Sequence, residues 1–283
     1  MSTPPRSPNS TCLTTQVKPT KPPSINRKEM SVFHLPPDSL IPNTEFCQTW
    51  LNVHDAIKQL VLDEELKALA GAVQKSKGTC YSKVEALLNH TSAKIHGELC
   101  PTSEFIAFVD NHSFLPTYHP NEINGGALDL VGAPKSIIKK LEQDDRNRIP
   151  WHLTLTVVEE KKAVDAKDVP AYCGAYLGYA NQACPDMVGM YSLSVSPRSF
   201  QIQYSCSAGL ATSEEFNWTA QLGCILAYVC TLYLPRTDFA PRDTMISLAT
   251  GRDILGPPLW DIDVVTRFIA TARSNSSGNH GRE

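Results

Sequence analysis

The 283-residue chain has no excess charge of either sign: 26 lysines and arginines face 29 aspartates and glutamates, for a formal net charge of −3. Such balance argues against a dedicated nucleic-acid coat protein, while a local basic groove stays compatible with it. No apolar stretch precedes Val32-Phe33, so no secretory leader is expected. The longest apolar run, Leu222 to Leu234, is shorter than the ~20 residues of a membrane helix and reads as a buried core helix. No membrane contact is expected. No Cys-x-x-Cys pair occurs among the nine cysteines, an odd and scattered set, which suits reduced, mostly buried thiols in an intracellular protein, cytoplasmic or nuclear. His90, His96 and Cys100 lack a fourth zinc partner at a recognised spacing. No internal repeat is visible, and the 21 prolines and 15 glycines follow no collagen-like period.

A hydrophobic content of 42% excludes a wholly disordered chain. Prolines at 4, 5, 8, 22, 23, 36, 37 and 42 interrupt any element over residues 1–43, which read as a disordered Pro/Ser/Thr-rich arm. Residues 44–265 read as a single α+β domain and 266–283 as a polar tail. Helical spacing of Phe46, Trp50, Ile57, Leu60, Val61, Leu66, Leu69 and Val73 predicts one bent helix or two over 44–74. Tyr81, Val84, Leu88, Ile95 and Leu99 mark a further helix, stopped by Pro101. Strands are expected at 105–110, 127–131, 153–161, 187–195, 200–206 and 244–249, and a helix at 168–183 capped by Asp168. Thr212-Ser213-Glu214-Glu215 reads as a capping box opening the apolar helix that ends at Leu234.

Asp129 falls within the apolar strand at 127–131, where a carboxylate is expensive unless paired or metal-bound. The strand at 153–161 ends in Val157-Val158-Glu159-Glu160-Lys161-Lys162. Alternation puts Glu159 and Lys161 on one face, about 7 Å apart along the strand. Glu160 and Lys162 form the same pattern on the other face; the first pair is preferred because it shares a face with Leu153, Leu155 and Val157. An Asp strand beside a Glu-x-Lys strand can hold Mg²⁺ or Mn²⁺, with the lysine orienting a water at a scissile phosphate. A charged strand end leading into a solvated loop is the plainer alternative.

The order helix, strand, Asp strand, Glu-x-Lys strand, helix, strand resembles the PD-(D/E)XK nuclease-like fold. Trp151 before the Glu-x-Lys strand, the Tyr-rich helix containing Gln182, Pro185-Asp186, the hairpin around Arg198, Trp218 to Tyr228 and Tyr233-Leu234-Pro235 to Asp243-Thr244 together resemble the region preceding the kinase domain in fungal-type protein kinases. The likeness spans about residues 45 to 265. It implies a nuclease-like core with added N-terminal helices and a C-terminal apolar helix. It further implies Asp129 and Glu159 as metal carboxylates, Lys161 as the pattern's lysine, Gln182 facing the site, and Glu85 as a third carboxylate. Leu128 stands where the pattern has proline, and HRD-like and DFG-like kinase motifs are lacking. The expected function is therefore a non-catalytic binding or regulatory module, a truncated-kinase front region whose partner is a protein or a kinase domain. The alternative is a Mg²⁺- or Mn²⁺-dependent nuclease using Asp129, Glu159 and Lys161. Lys135, Lys139, Lys140, Arg146, Arg148 and the lysines of 161–167 would then track nucleic acid, unless they form a solvated loop.

Overall fold

A computed structural model of the chain describes residues 40–110, 128–144, 146, 149–160, 173, 176–180, 183–206, 209–236, 242–243, 245–249 and 253–262. Three helices open it, α1 (Asn43–Trp50), α2 (Ile57–Leu60) and α3 (Glu64–Gln74), where the spacing predicted one bent helix or two. The break after Trp50 is an extended residue, Leu51, and the second falls at Asp63, whose carboxylate accepts the Glu65 and Leu66 N–H groups to start α3. Helix α4 (Tyr81–Leu99) has the predicted span.

Strands β1 (Ile106–Asp110), β2 (Leu130–Pro134), β3 (Thr156–Glu160), β4 (Gly189–Val195), β5 (Ser199–Cys206) and β6 (Gly209–Thr212) lie in that order in one seven-stranded sheet, with β7 (Phe216–Asn217) also on β5. All pairs are antiparallel except β3 with β4, which run parallel. A parallel pair needs a crossover; residues 173, 176–180 and 183 are helical and supply it, and are labelled α6. The sheet is mixed and helices cover both faces. Val158, Tyr191, Leu193, Val195, Phe200 and Ile202 pack with α1, α3, α4 and the apolar helix α7 (Leu222–Tyr233). Val131, Ala133, Val157 and Met190 pack with α6 and with α5 (Lys135–Gln143), which buries Ile137, Ile138 and Leu141. Among the described residues no helix is long and apolar enough to cross a membrane.

Several expectations change. Helix α5 replaces the basic loop, and its Lys140 together with Arg146 pairs with Asp253, which draws these cations into the fold. The capping-box reading fails. Thr212 ends β6, and Ser213 Oγ accepts the Ile202 N–H at 3.0 Å while donating to the Glu214 carbonyl. Thr212, Ser213, Phe216 and Asn217 instead pair with β5, the Glu214 N–H donates to the Ile41 carbonyl, and α7 begins at Leu222. The strand expected over 244–249 is Ile246–Leu248 (β8), paired with Trp260–Ile262 (β9) in a separate two-stranded sheet.

The outer edge of β1 is closed by side chains. Asn89 on α4 donates to the Phe108 carbonyl at 2.7 Å and accepts the Phe108 N–H at 2.9 Å, as a neighbouring strand would. Ser92 donates to the Ile106 carbonyl, and the Tyr233 hydroxyl of α7 accepts the Ile106 N–H. Covering an edge in this way removes a template for intermolecular pairing.

Gly132 sits between Phe108 and Thr156, and a Cβ there would lie 2.6 Å from the Thr156 methyl and 3.2 Å from the Phe108 ring. Gly132→Ala is expected to destabilise the protein by about 1–3 kcal/mol through overpacking. Gly97, in α4, has open space around its Cβ position, so Gly97→Ala is expected to stabilise by about 0.5–1 kcal/mol. Denaturant titration of the two variants checks both signs; equal effects would contradict this packing.

Candidate acidic site at the end of β3

The last residues of β3 point to opposite sides of the sheet. Glu159 pairs in register with Ser194, on the face of Val157; Glu160 pairs with Val195, on the face of Val158. Both carboxylates are buried, at 1% and 2% exposure. Leu130 is opposite Val158 in the antiparallel β2–β3 pair, so continuing the register sets Asp129 opposite Glu159. Asp129 is not inside a strand, as the sequence suggested; it immediately precedes β2 and is 8% exposed. The expected common face also fails upstream, because residues 151–153 form a 3-10 turn and Leu155 packs against the α4 and α7 side, away from Val157.

Asp129 Oδ2 accepts the backbone N–H of Glu160 at 2.6 Å, and the Tyr81 hydroxyl hydrogen-bonds to the same carboxylate. Burial pushes the Tyr81 phenol up, and the Asp129 charge and hydrogen bond add to the shift, so the neutral phenol is the donor. Glu160 Oε1 accepts the N–H of Cys80, the residue capping α4, at 2.5 Å. A carboxylate at the start of a 19-residue helix meets unpaired N–H groups and the positive end of the helix dipole. Burial nevertheless raises the Glu160 pKa, opposed by the backbone and side chain of Cys80 and reinforced by the Asp129 charge. Its other oxygen, Oε2, is buried without a hydrogen-bond partner among the described residues.

On the opposite face, Glu159 adjoins a buried polar row. Ser194 Oγ donates to the Cys173 sulfur of α6 at 3.3 Å, Gln203 Nε2 donates to Ser194 Oγ at 3.2 Å, and Ser192 Oγ donates to Gln203 Oε1 at 2.9 Å. Burial pushes the Cys173 thiol up to about 12, with the Glu159 charge the next contributor. Glu85, one turn beyond Tyr81, is half-buried, and its pKa is raised by burial and then by Asp110. Lys161 and Gln182 lie outside the described residues.

The chain therefore gathers Asp129, Glu159, Glu160 and Tyr81 at one end of the sheet. Tyr81 had only helical spacing to mark it, and Cys173, Ser192, Ser194 and Gln203 carried no motif. Among the described residues no three His, Cys, Asp or Glu side chains converge as a metal-ion site. The Asp129 carboxylate is engaged by an amide and a phenol. No family model, curated protein or solved structure matches the chain.

A carboxyl whose folded pKa is raised contributes stability that is fully present below its unfolded pKa and lost as pH rises through the folded value. For Glu160 that window begins near the ordinary 4.5 and extends upward. Asp63, held down to about 2 first by its hydrogen bond from Lys94, contributes stability that is lost only below its ordinary 3.8. The Glu160 contribution thus grows as pH falls from 7 to about 5, with Glu85 acting in the same sense and His152, whose pKa burial lowers, in the opposite one. Glu160→Gln, which keeps the acceptor for Cys80, is expected to shift the slope of the wild type by removing the Glu160 share. Thermal melts across this range check it; an unchanged slope in the variant would remove Glu160 as its source.

Proposed function

We propose that this chain is a non-catalytic binding or regulatory module, built on a nuclease-like core of the PD-(D/E)XK type and akin to the front region of a fungal-type protein kinase. The order α4, β1, β2, α5, β3, α6, β4 supports the reading: apart from α5, inserted between β2 and β3, it follows helix, strand, strand, strand, helix, strand, with Asp129 just ahead of β2 and Glu159 in β3. The observation that carries the non-catalytic part is the use made of Asp129. Its carboxylate holds the Glu160 amide and the Tyr81 hydroxyl, tying β3 to the start of α4. A fold resemblance does not bring an activity with it; that must come from the site. In this reading the acidic end of β3 is a strut, and function lies in the surfaces it supports, which receive a protein partner or a kinase domain.

The second reading, a Mg²⁺- or Mn²⁺-dependent nuclease, draws on one observation: continued register sets Asp129 opposite Glu159 on adjoining strands. Calorimetric titration of Mn²⁺ and Mg²⁺ into the wild type, Asp129→Asn and Glu159→Gln separates the two. The module reading expects no binding at millimolar metal. A single site present in the wild type and lost in both variants would overturn it and make cleavage of DNA and RNA the next assay.

A further inference from the structure

The thiols of Cys47 on α1 and Cys224 on α7 meet at 3.4 Å between sulfurs, across a separation of 177 residues. Both are half-buried; of the other described cysteines only Cys206 is as accessible, and Cys80, Cys100, Cys173, Cys184 and Cys230 are buried. The helices that carry the pair are docked independently of it. The Asn52 N–H donates to Thr231 Oγ1 at 2.7 Å, and the Asn52 amide donates to the Leu234 carbonyl at 2.8 Å. The sulfurs have to close from 3.4 Å to the ~2.05 Å of a disulfide, between segments that these hydrogen bonds hold side by side.

We propose that Cys47 and Cys224 are a reversible redox pair whose disulfide staples α1 to α7. The hydrogen bond from Cys224 holds the Cys47 thiol below its ordinary value, while the same bond and burial push Cys224 up. Both sulfurs are half-buried and in contact, so either can attack and the other resolve; the order with Cys47 attacking is representative. With a small disulfide such as glutathione disulfide as oxidant, the Cys47 thiolate attacks one sulfur and releases a glutathione thiolate, leaving a mixed disulfide on Cys47. The Cys224 sulfur then attacks Cys47 and releases the second glutathione, which takes the Cys224 proton. Two electrons pass from the protein thiols to the oxidant, and one protein disulfide replaces one glutathione disulfide.

The test uses the full chain, reduced and then exposed to glutathione disulfide, with non-reducing peptide mapping. A linked peptide joining Cys47 to Cys224 is expected in the wild type and in Cys206→Ser, absent from Cys47→Ser and Cys224→Ser, and cleaved by dithiothreitol. The oxidised wild type is expected to melt roughly 5–10 °C higher, because the link closes a long loop of the unfolded chain. Glutathione retained on Cys47 with no crosslink, a crosslink through other cysteines, or an unchanged melting temperature would each overturn the proposal.

Discussion

The β2–β3–α4 corner depends on a carboxylate taking the place of a strand. Beyond Leu130 the β2–β3 ladder stops, and Asp129 Oδ2 receives the Glu160 N–H that the next rung would have satisfied. Since a buried amide without an acceptor is costly, this contact fixes where β3 ends. It also fixes how Glu160 enters the opposite face, where its carboxylate accepts the N–H of Cys80, the residue capping α4. Tyr81, the first residue of that helix, returns a hydrogen bond to Asp129. Sheet end and helix start are thereby closed into one polar knot between two apolar layers.

The same economy of side chains in place of backbone recurs at β1, where Asn89, Ser92 and Tyr233 satisfy the outward groups of Phe108 and Ile106. It recurs again inside the sheet. The Tyr228 hydroxyl of α7 meets Thr156 Oγ1 at 2.5 Å, and Thr156 donates to the Tyr191 carbonyl at 2.7 Å. Arg242 grips both oxygens of Asp186 and the His152 carbonyl, anchoring the segment that leads to β8 and β9. Most of these buried polar groups find partners, and hydrogen-bonded networks of this kind favour one arrangement of helices on the sheet, while Glu160 Oε2 and His152 Nδ1 have none among the described residues.

What was legible in the sequence follows the strength of local periodicity. Helix α4 was read to its exact ends because its apolar stripe runs undisturbed from Tyr81 to Leu99 before Pro101. The β4–β5 hairpin was legible from Phe200, Ile202 and Tyr204 alternating beyond a Ser-Pro-Arg-Ser turn. Helix α5 was missed although Ile137, Ile138 and Leu141 stand at helical spacing among its nine residues, because its three lysines, Lys135, Lys139 and Lys140, read as a basic loop. Thr212 to Glu215 matched a capping box, yet pairing with β5 outweighed the local signal. At the site, Asp129 and Glu159 were legible as carboxylates in apolar surroundings. Tyr81 and Cys80 were not, because only the fold brings the start of α4 to the end of β3.

Native-state hydrogen exchange at the Glu160 and Cys80 amides tests the central claim most directly, that these carboxylates hold the fold. In the wild type both amides are expected to exchange as slowly as those of the β3–β4 ladder, and Asp129→Ala, which removes the acceptor, is expected to speed Glu160 selectively. Fast exchange at Glu160 in the wild type, or protection unchanged by Asp129→Ala, would contradict the account.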